Sequence, residues 1–118
     1  MKKAFTLPTC KTCLRIFDDL QPEQNGCVVV DIKAEGIDPE DLDKMKQLAG
    51  SYEAIFSRRA MKFRSMGLAD KKLTEADYRG LILEEYTFLK RPVFLFDDQV
   101  CAGSAKASVE AARMALNG

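Results

Sequence analysis

Ala4-Phe5-Thr6-Leu7-Pro8-Thr9-Cys10-Lys11-Thr12-Cys13-Leu14-Arg15-Ile16-Phe17 passes from an apolar run, through a proline, into a helical pattern. Residues 3–7 read as a strand that stops at Pro8. Residues 10–20 read as a helix with Cys13, Leu14, Phe17 and Leu20 on one face. Such a turn sets Cys10 at a helix N-terminus, where unpaired amides and the helix dipole favour a thiolate over a thiol. Cys13 then lies one turn deeper on the same side, close enough to attack a sulfur bonded to Cys10. One nucleophilic thiol with a resolving thiol beside it is the minimal apparatus for disulfide exchange. The plainer alternatives are a small residue buried at a strand end for Cys10 and a half-buried, inert thiol for Cys13.

Working outward, Pro22 to Gly26 is a polar turn, and residues 27–33 form a second strand rich in valine and isoleucine. Following strand and helix, this strand is expected to pair in parallel through a right-handed crossover. Asp38-Pro39-Glu40-Asp41 opens a helix with an N-cap, a proline at its first position and acidic residues at its positive end. Leu42, Met45 and Leu48-Ala49 form its inner face, and Gly50 ends it. A further helical stretch is expected over roughly 51–66. Thr74-Glu75-Ala76-Asp77 resembles a capping box that opens another helix through Tyr86. Val93 to Phe96 and Val100 to Ala102 read as a hairpin across Asp97-Asp98-Gln99. Ser104 is expected to cap a last helix through Leu116, with Ala105, Val109, Ala112 and Leu116 inward.

The order β-α-β, several helices, β-β-α is the thioredoxin arrangement. The expected fold is therefore α/β and thioredoxin-like: one domain over 1–118, a four-stranded mixed sheet flanked by helices, and a helical insertion over roughly 38–88.

Composition narrows the function. Eighteen basic and eighteen acidic residues give zero formal charge, so nothing global draws the chain to nucleic acid or to an anionic membrane. No apolar run approaches the roughly 18 residues that span a bilayer. The apolar stretch after Met1-Lys2-Lys3 is too short for a secretory signal, which points to the cytoplasm. In that compartment a framework of disulfides from four cysteines is disfavoured. The chain has no histidine, so zinc would need Cys27 and Cys101 to join Cys10 and Cys13. Each of those two sits alone in an apolar run, and both are expected to be buried structural thiols, with no metal bound. The run from Arg58 to Lys72 is strongly basic. It reads either as the wet side of a helix with Met61, Phe63, Met66 and Leu68 inside, or as a partner-binding or nucleic-acid face, with no aromatic-stacking motif to accompany the charge.

Three segments together resemble the arsenate reductase (ArsC) and Spx family of the thioredoxin fold. They are Thr9-Cys10-Lys11-Thr12-Cys13, then Ser57-Arg58-Arg59-Ala60-Met61-Lys62-Phe63, then Leu89-Lys90-Arg91-Pro92-Val93. The resemblance implies a thiol-dependent oxidoreductase with Cys10 as nucleophile and Cys13 resolving. The substrate would be an oxyanion or a disulfide. It implies that Arg59 and Arg91 act as planar donors to the oxyanion, a role their forked guanidinium groups suit. A register error of one residue would exchange Arg59 for Arg58, and Arg91 has the alternative of a salt bridge with Glu84 or Glu85. Thr9, Lys11, Thr12 and Pro92 are expected to contact substrate, and the peptide before Pro92 is expected to be cis.

No bound cofactor is implied; glutathione with glutaredoxin, or thioredoxin, would serve as external reductant. Two positions depart from the arsenate reductase pattern. Cys13 occupies the fourth motif position, as in the Spx branch, and Val100-Cys101-Ala102-Gly103 stands where a third arginine is expected. The Spx branch implies a different function, a regulator that binds RNA polymerase or another protein and is switched by the CxxC disulfide.

Overall fold

The structure is a computed structural model that describes residues 2–117. The chain divides into two compact units. One contains the residues up to Gly36 together with those from Arg91 onward, and the other is Ile37–Lys90.

The first unit is a four-stranded mixed sheet flanked by helices. β1 (Lys3–Thr6) pairs in parallel with β2 (Val28–Asp31) and antiparallel with β3 (Val93–Leu95), which pairs antiparallel with β4 (Val100–Ala102). The spatial order is β2-β1-β3-β4. Two parallel neighbours need a crossover, and α1 (Lys11–Leu20) supplies it. The strand pairing sets Val29, Ala4, Phe94 and Cys101 in one row across the sheet. On that row pack Ile16 and Leu20 of α1 and Ala112 and Leu116 of α6 (Lys106–Asn117). The Phe17 and Phe94 rings meet at 5.6 Å.

One helix face and two boundaries in this unit differ from expectation. α1 buries Cys13, Ile16 and Leu20, whereas Leu14 is 54% exposed. At about 100° per residue, Leu20 falls between Ile16 and Cys13 in one narrow buried arc, and Leu14 lies about 100° beyond Cys13, outside it. The second strand stops at Asp31 rather than running to residue 33. The Asp31 carboxylate accepts the amides of Lys33 and Ala34 at 3.0 and 3.2 Å, and so opens α2 (Ile32–Glu35). The last helix starts from Ala105, whose carbonyl accepts the Val109 amide at 3.0 Å, and not from Ser104. Ala105 is exposed, while Ala112 and Leu116 are buried as expected.

In the second unit, α3 (Pro39–Ala49) has the expected ends. The Asp38 carboxylate accepts the Glu40 amide at 2.8 Å, and Gly50 closes the helix at φ 102°, where a side chain would be strained. Thr74 and Asp77 form the expected reciprocal capping box at the start of α5 (Glu75–Glu84).

The helix expected over 51–66 is not there. In its place are a 3-10 turn at Glu53–Ile55, an extended Phe56, and the short α4 (Met61–Ser65). Long-range bonds account for the difference. The Glu75 carboxylate takes the amides of Tyr52 and Glu53 at 2.7 and 3.2 Å. The Ser57 amide donates to the Phe88 carbonyl at 2.6 Å, and Lys90 donates to the Ile55 carbonyl at 2.9 Å, so Phe56 bridges to Leu89 as a strand would. Of the four apolar residues expected inside the basic run, Phe63 and Leu68 are buried. Met61 and Met66 are 88% and 44% exposed. Among the described residues no helix is long and apolar enough to cross a membrane.

Candidate functional site

The end of β1 and the start of α1 place the cysteine pair. Pro8 and Thr9 form an exposed turn, closed by the Cys10 amide donating to the Leu7 carbonyl at 2.9 Å. Cys10 then takes the N-cap position with extended backbone (φ −89°, ψ 112°), and its carbonyl accepts the Leu14 amide at 3.1 Å. Its side chain makes no conventional capping bond. The sulfur lies instead in the field of the Cys13 and Thr12 amides, which no intrahelical carbonyl can satisfy. Cys10 is partly exposed, while Cys13 is fully buried; both are free thiols.

Electrostatics split the two sulfurs. Partial burial disfavours a Cys10 thiolate, but the Cys13 amide, the Cys13 thiol, the Arg91 guanidinium and the Thr12 amide together outweigh it. Cys10 is therefore held below the ordinary thiol range. Burial acts in the same direction on Cys13, and there it is not outweighed. With the neighbouring Cys10 sulfur accepting its hydrogen bond and repelling a second charge, Cys13 is pushed up to about 11, although the Leu7 amide and the Thr6 hydroxyl partly oppose this. One sulfur is prepared to ionise while the other stays protonated and donates to it.

Arg91 lies two residues before β3, and the Arg91–Pro92 peptide is cis, as expected. Pro92 is buried, and its carbonyl accepts the Gly103 amide at 2.8 Å. Among the expected substrate contacts, Thr9 and Lys11 are exposed and Thr12 is half-buried. Cys27 and Cys101 are buried, and burial raises both thiols; the Gln99 amide nitrogen sits 3.6 Å from the Cys101 sulfur.

Arg58 and Arg59 belong to the second unit, in the turn before α4. Arg58 is engaged there: it pairs with Glu53 at 2.6 Å and donates to the Tyr78 hydroxyl at 3.0 Å. Arg59 is exposed beside it. Sequence reasoning passed over Thr6, whose hydroxyl reaches Cys13. Strand alternation from Ala4, which faces α1, carries the signal.

The Arg91 contribution can be checked directly. In Arg91→Gln the Cys10 thiolate loses a positive neighbour, so its pKa rises. The pH profile for alkylation of Cys10 is expected to move to higher pH, with the plateau rate at high pH little changed. An unmoved profile would remove Arg91 from the site's electrostatics.

A protein-family model described as the ArsC family matches residues 5–112. Among solved structures, the YFFB (PA3664) protein is 26% identical, with a TM-score of 0.79 over 95% of this chain and 98% of its own. An arsenate reductase (ArsC) related protein from Brucella melitensis is 25% identical, with a TM-score of 0.67 over 93% and 92% of the two chains. The arsenate reductase from Vibrio cholerae shares the fold at 16% identity, with a TM-score of 0.78 over 93% and 95%. No curated protein matches the sequence.

Proposed function

Because this chain belongs to the ArsC family, we propose that it is a thiol-dependent oxidoreductase with Cys10 as nucleophile and Cys13 as resolving thiol. The observation that carries this reading is the position of the Cys10 sulfur at the start of α1. There two helix amides, the Cys13 thiol and Arg91 favour its ionised form.

The substrate is an arsenate-like oxyanion or a disulfide. With a disulfide, the Cys10 thiolate bonds to one sulfur and expels the other as a thiolate. Cys13 then attacks the Cys10 sulfur, closing the Cys10–Cys13 disulfide and releasing the second thiolate. Two electrons pass from the cysteine pair to the substrate. With arsenate, Cys10 first displaces an oxygen as water to form a sulfur–arsenic bond. Attack by Cys13 then leaves arsenic two electrons richer, as arsenite. Arg91, which belongs to the same unit as Cys10, serves as a donor to the oxyanion, since a forked guanidinium group matches its geometry. Thr9, Lys11, Thr12 and Pro92 line the approach to the nucleophile. The chemistry calls for no bound cofactor; glutathione with glutaredoxin, or thioredoxin, returns the disulfide to the dithiol in a cytoplasmic setting.

The test is consumption of reductant with arsenate and, separately, with glutathione disulfide. Turnover is expected with at least one of them, and Cys13→Ser is expected to stall with about one equivalent of arsenic or of glutathione bound to Cys10, according to the substrate. Absence of turnover with both would overturn the enzymatic reading. If the affinity for RNA polymerase, or for another protein, then differed between the dithiol and disulfide forms, the Spx-like regulatory reading would replace it.

A further inference from the structure

Thr6 is the one residue of the polar and charged classes that is buried among the described residues, at 7% exposure. A buried hydroxyl needs a partner. Thr6 is the last residue of β1, and side chains two apart on a strand share a face, so Thr6 points the same way as Ala4. Ala4 packs against Ile16 and Leu20 of α1. The Thr6 hydroxyl therefore lies beneath the first turn of that helix, where Cys13 is fully enclosed, and its partner is the Cys13 sulfur. The Leu7 amide reaches the same sulfur.

Granting the oxidoreductase reading above, we propose that Thr6 is a positioning residue for the resolving step: its hydroxyl donates to Cys13 Sγ and steadies that sulfur as negative charge forms on it. In the resting dithiol Cys13 is kept neutral by burial and by two effects of the Cys10 thiolate, which accepts a hydrogen bond from the Cys13 thiol and repels a second charge. Once Cys10 is bonded to substrate sulfur its charge is gone, and with it both of those effects. The donors from Thr6 and Leu7 remain. Burial still opposes a Cys13 thiolate, but Cys13 ionises more readily once Cys10 has reacted than before, which favours attack in that order. In the step itself, the Cys13–sulfur bond to hydrogen breaks and a Cys13–Cys10 bond forms. The bond from Cys10 to the substrate sulfur breaks, and the proton passes through solvent to the departing thiolate or stays in solution.

The probe is an aromatic disulfide whose coloured thiolate is released in two stages, one as Cys10 attacks and one as Cys13 resolves. Thr6→Val keeps the shape and removes the hydroxyl; Thr6→Ser restores it. Thr6→Val is expected to leave the first stage and its pH profile unchanged. It should slow the second by about tenfold, the loss expected for one hydrogen bond to a developing anion, and shift that stage's profile to higher pH. Thr6→Ser is expected to recover most of the rate. Thr6→Ala provides the same comparison if the valine variant misfolds. A second stage with unchanged rate and profile in both hydroxyl-free variants would overturn the role of Thr6 while leaving Cys13 as the resolving thiol. Absence of a second stage in the unmodified protein would overturn the resolving role itself.

Discussion

Cys10→Ser is expected to reduce reductant consumption to the uncatalysed rate with every substrate the protein accepts. In the proposed chemistry both steps pass through that sulfur: it bonds to substrate first and is then attacked by Cys13. A serine hydroxyl has neither the acidity nor the redox chemistry for either step, so loss should be complete rather than graded. The fold should be unaffected. Position 10 is the N-cap of α1, and serine is among the best N-cap residues, able to accept the amides that now face sulfur. The unfolding midpoint of Cys10→Ser should therefore equal or exceed that of the unmodified chain. Residual turnover with a stable fold would show that another group is the nucleophile.

The second large effect is structural. Phe56 is 1% exposed and lies among three other rings: Tyr78 at 4.8 Å, Phe88 at 5.0 Å and Phe63 at 6.1 Å between centroids. It also holds the bridge to Leu89 that bends the chain away from a helix. Phe56→Ala removes a buried ring and its aromatic contacts from the second unit. The expected loss is about 3–5 kcal/mol. A domain of this size has in total about 5–15 kcal/mol. Urea denaturation should show a large drop in midpoint, and heating a marginally folded protein. Phe56→Leu, which keeps most of the volume, should lose much less. A drop below about 1 kcal/mol for Phe56→Ala would mean the ring cluster does not support this unit.

The parts of the fold legible in sequence are those written locally. Pro8 after an apolar run, the N-cap pair Asp38-Pro39, the Thr74 capping box and the turn at Asp97-Asp98 each carry their own stereochemistry within a few residues. The parts that were not legible depend on distant partners. Residues 51–66 have helical periodicity, but Glu75 captures the amides of Tyr52 and Glu53, and Phe88 and Lys90 capture the backbone around Phe56. Nothing within that segment announces it. The end of β2 was missed for a smaller reason: Asp31 inside a valine run looks like a polar strand residue until its carboxylate is seen capping Lys33 and Ala34.

The site divides in the same way. Cys10 and Cys13 follow from spacing and from a strand leading into a helix. The cis peptide before Pro92 followed from resemblance. Which of Arg58 and Arg59 is already engaged within its unit needed coordinates, because it turns on Glu53 and Tyr78. Thr6 was available from alternation alone, but threonine is so ordinary in a strand that only its burial beside Cys13 marks it.

The most direct measurement is the ultraviolet absorbance of thiolate as a function of pH in the reduced protein, with Cys10→Ser to assign the transition. One sulfur should ionise below the free-cysteine value of about 8.5 and disappear from the titration in Cys10→Ser. Cys13 should ionise far above it. If no thiol titrates below about 8.5, or if the low transition survives in Cys10→Ser, the helix amides and Arg91 do not activate Cys10 and the proposed chemistry is contradicted.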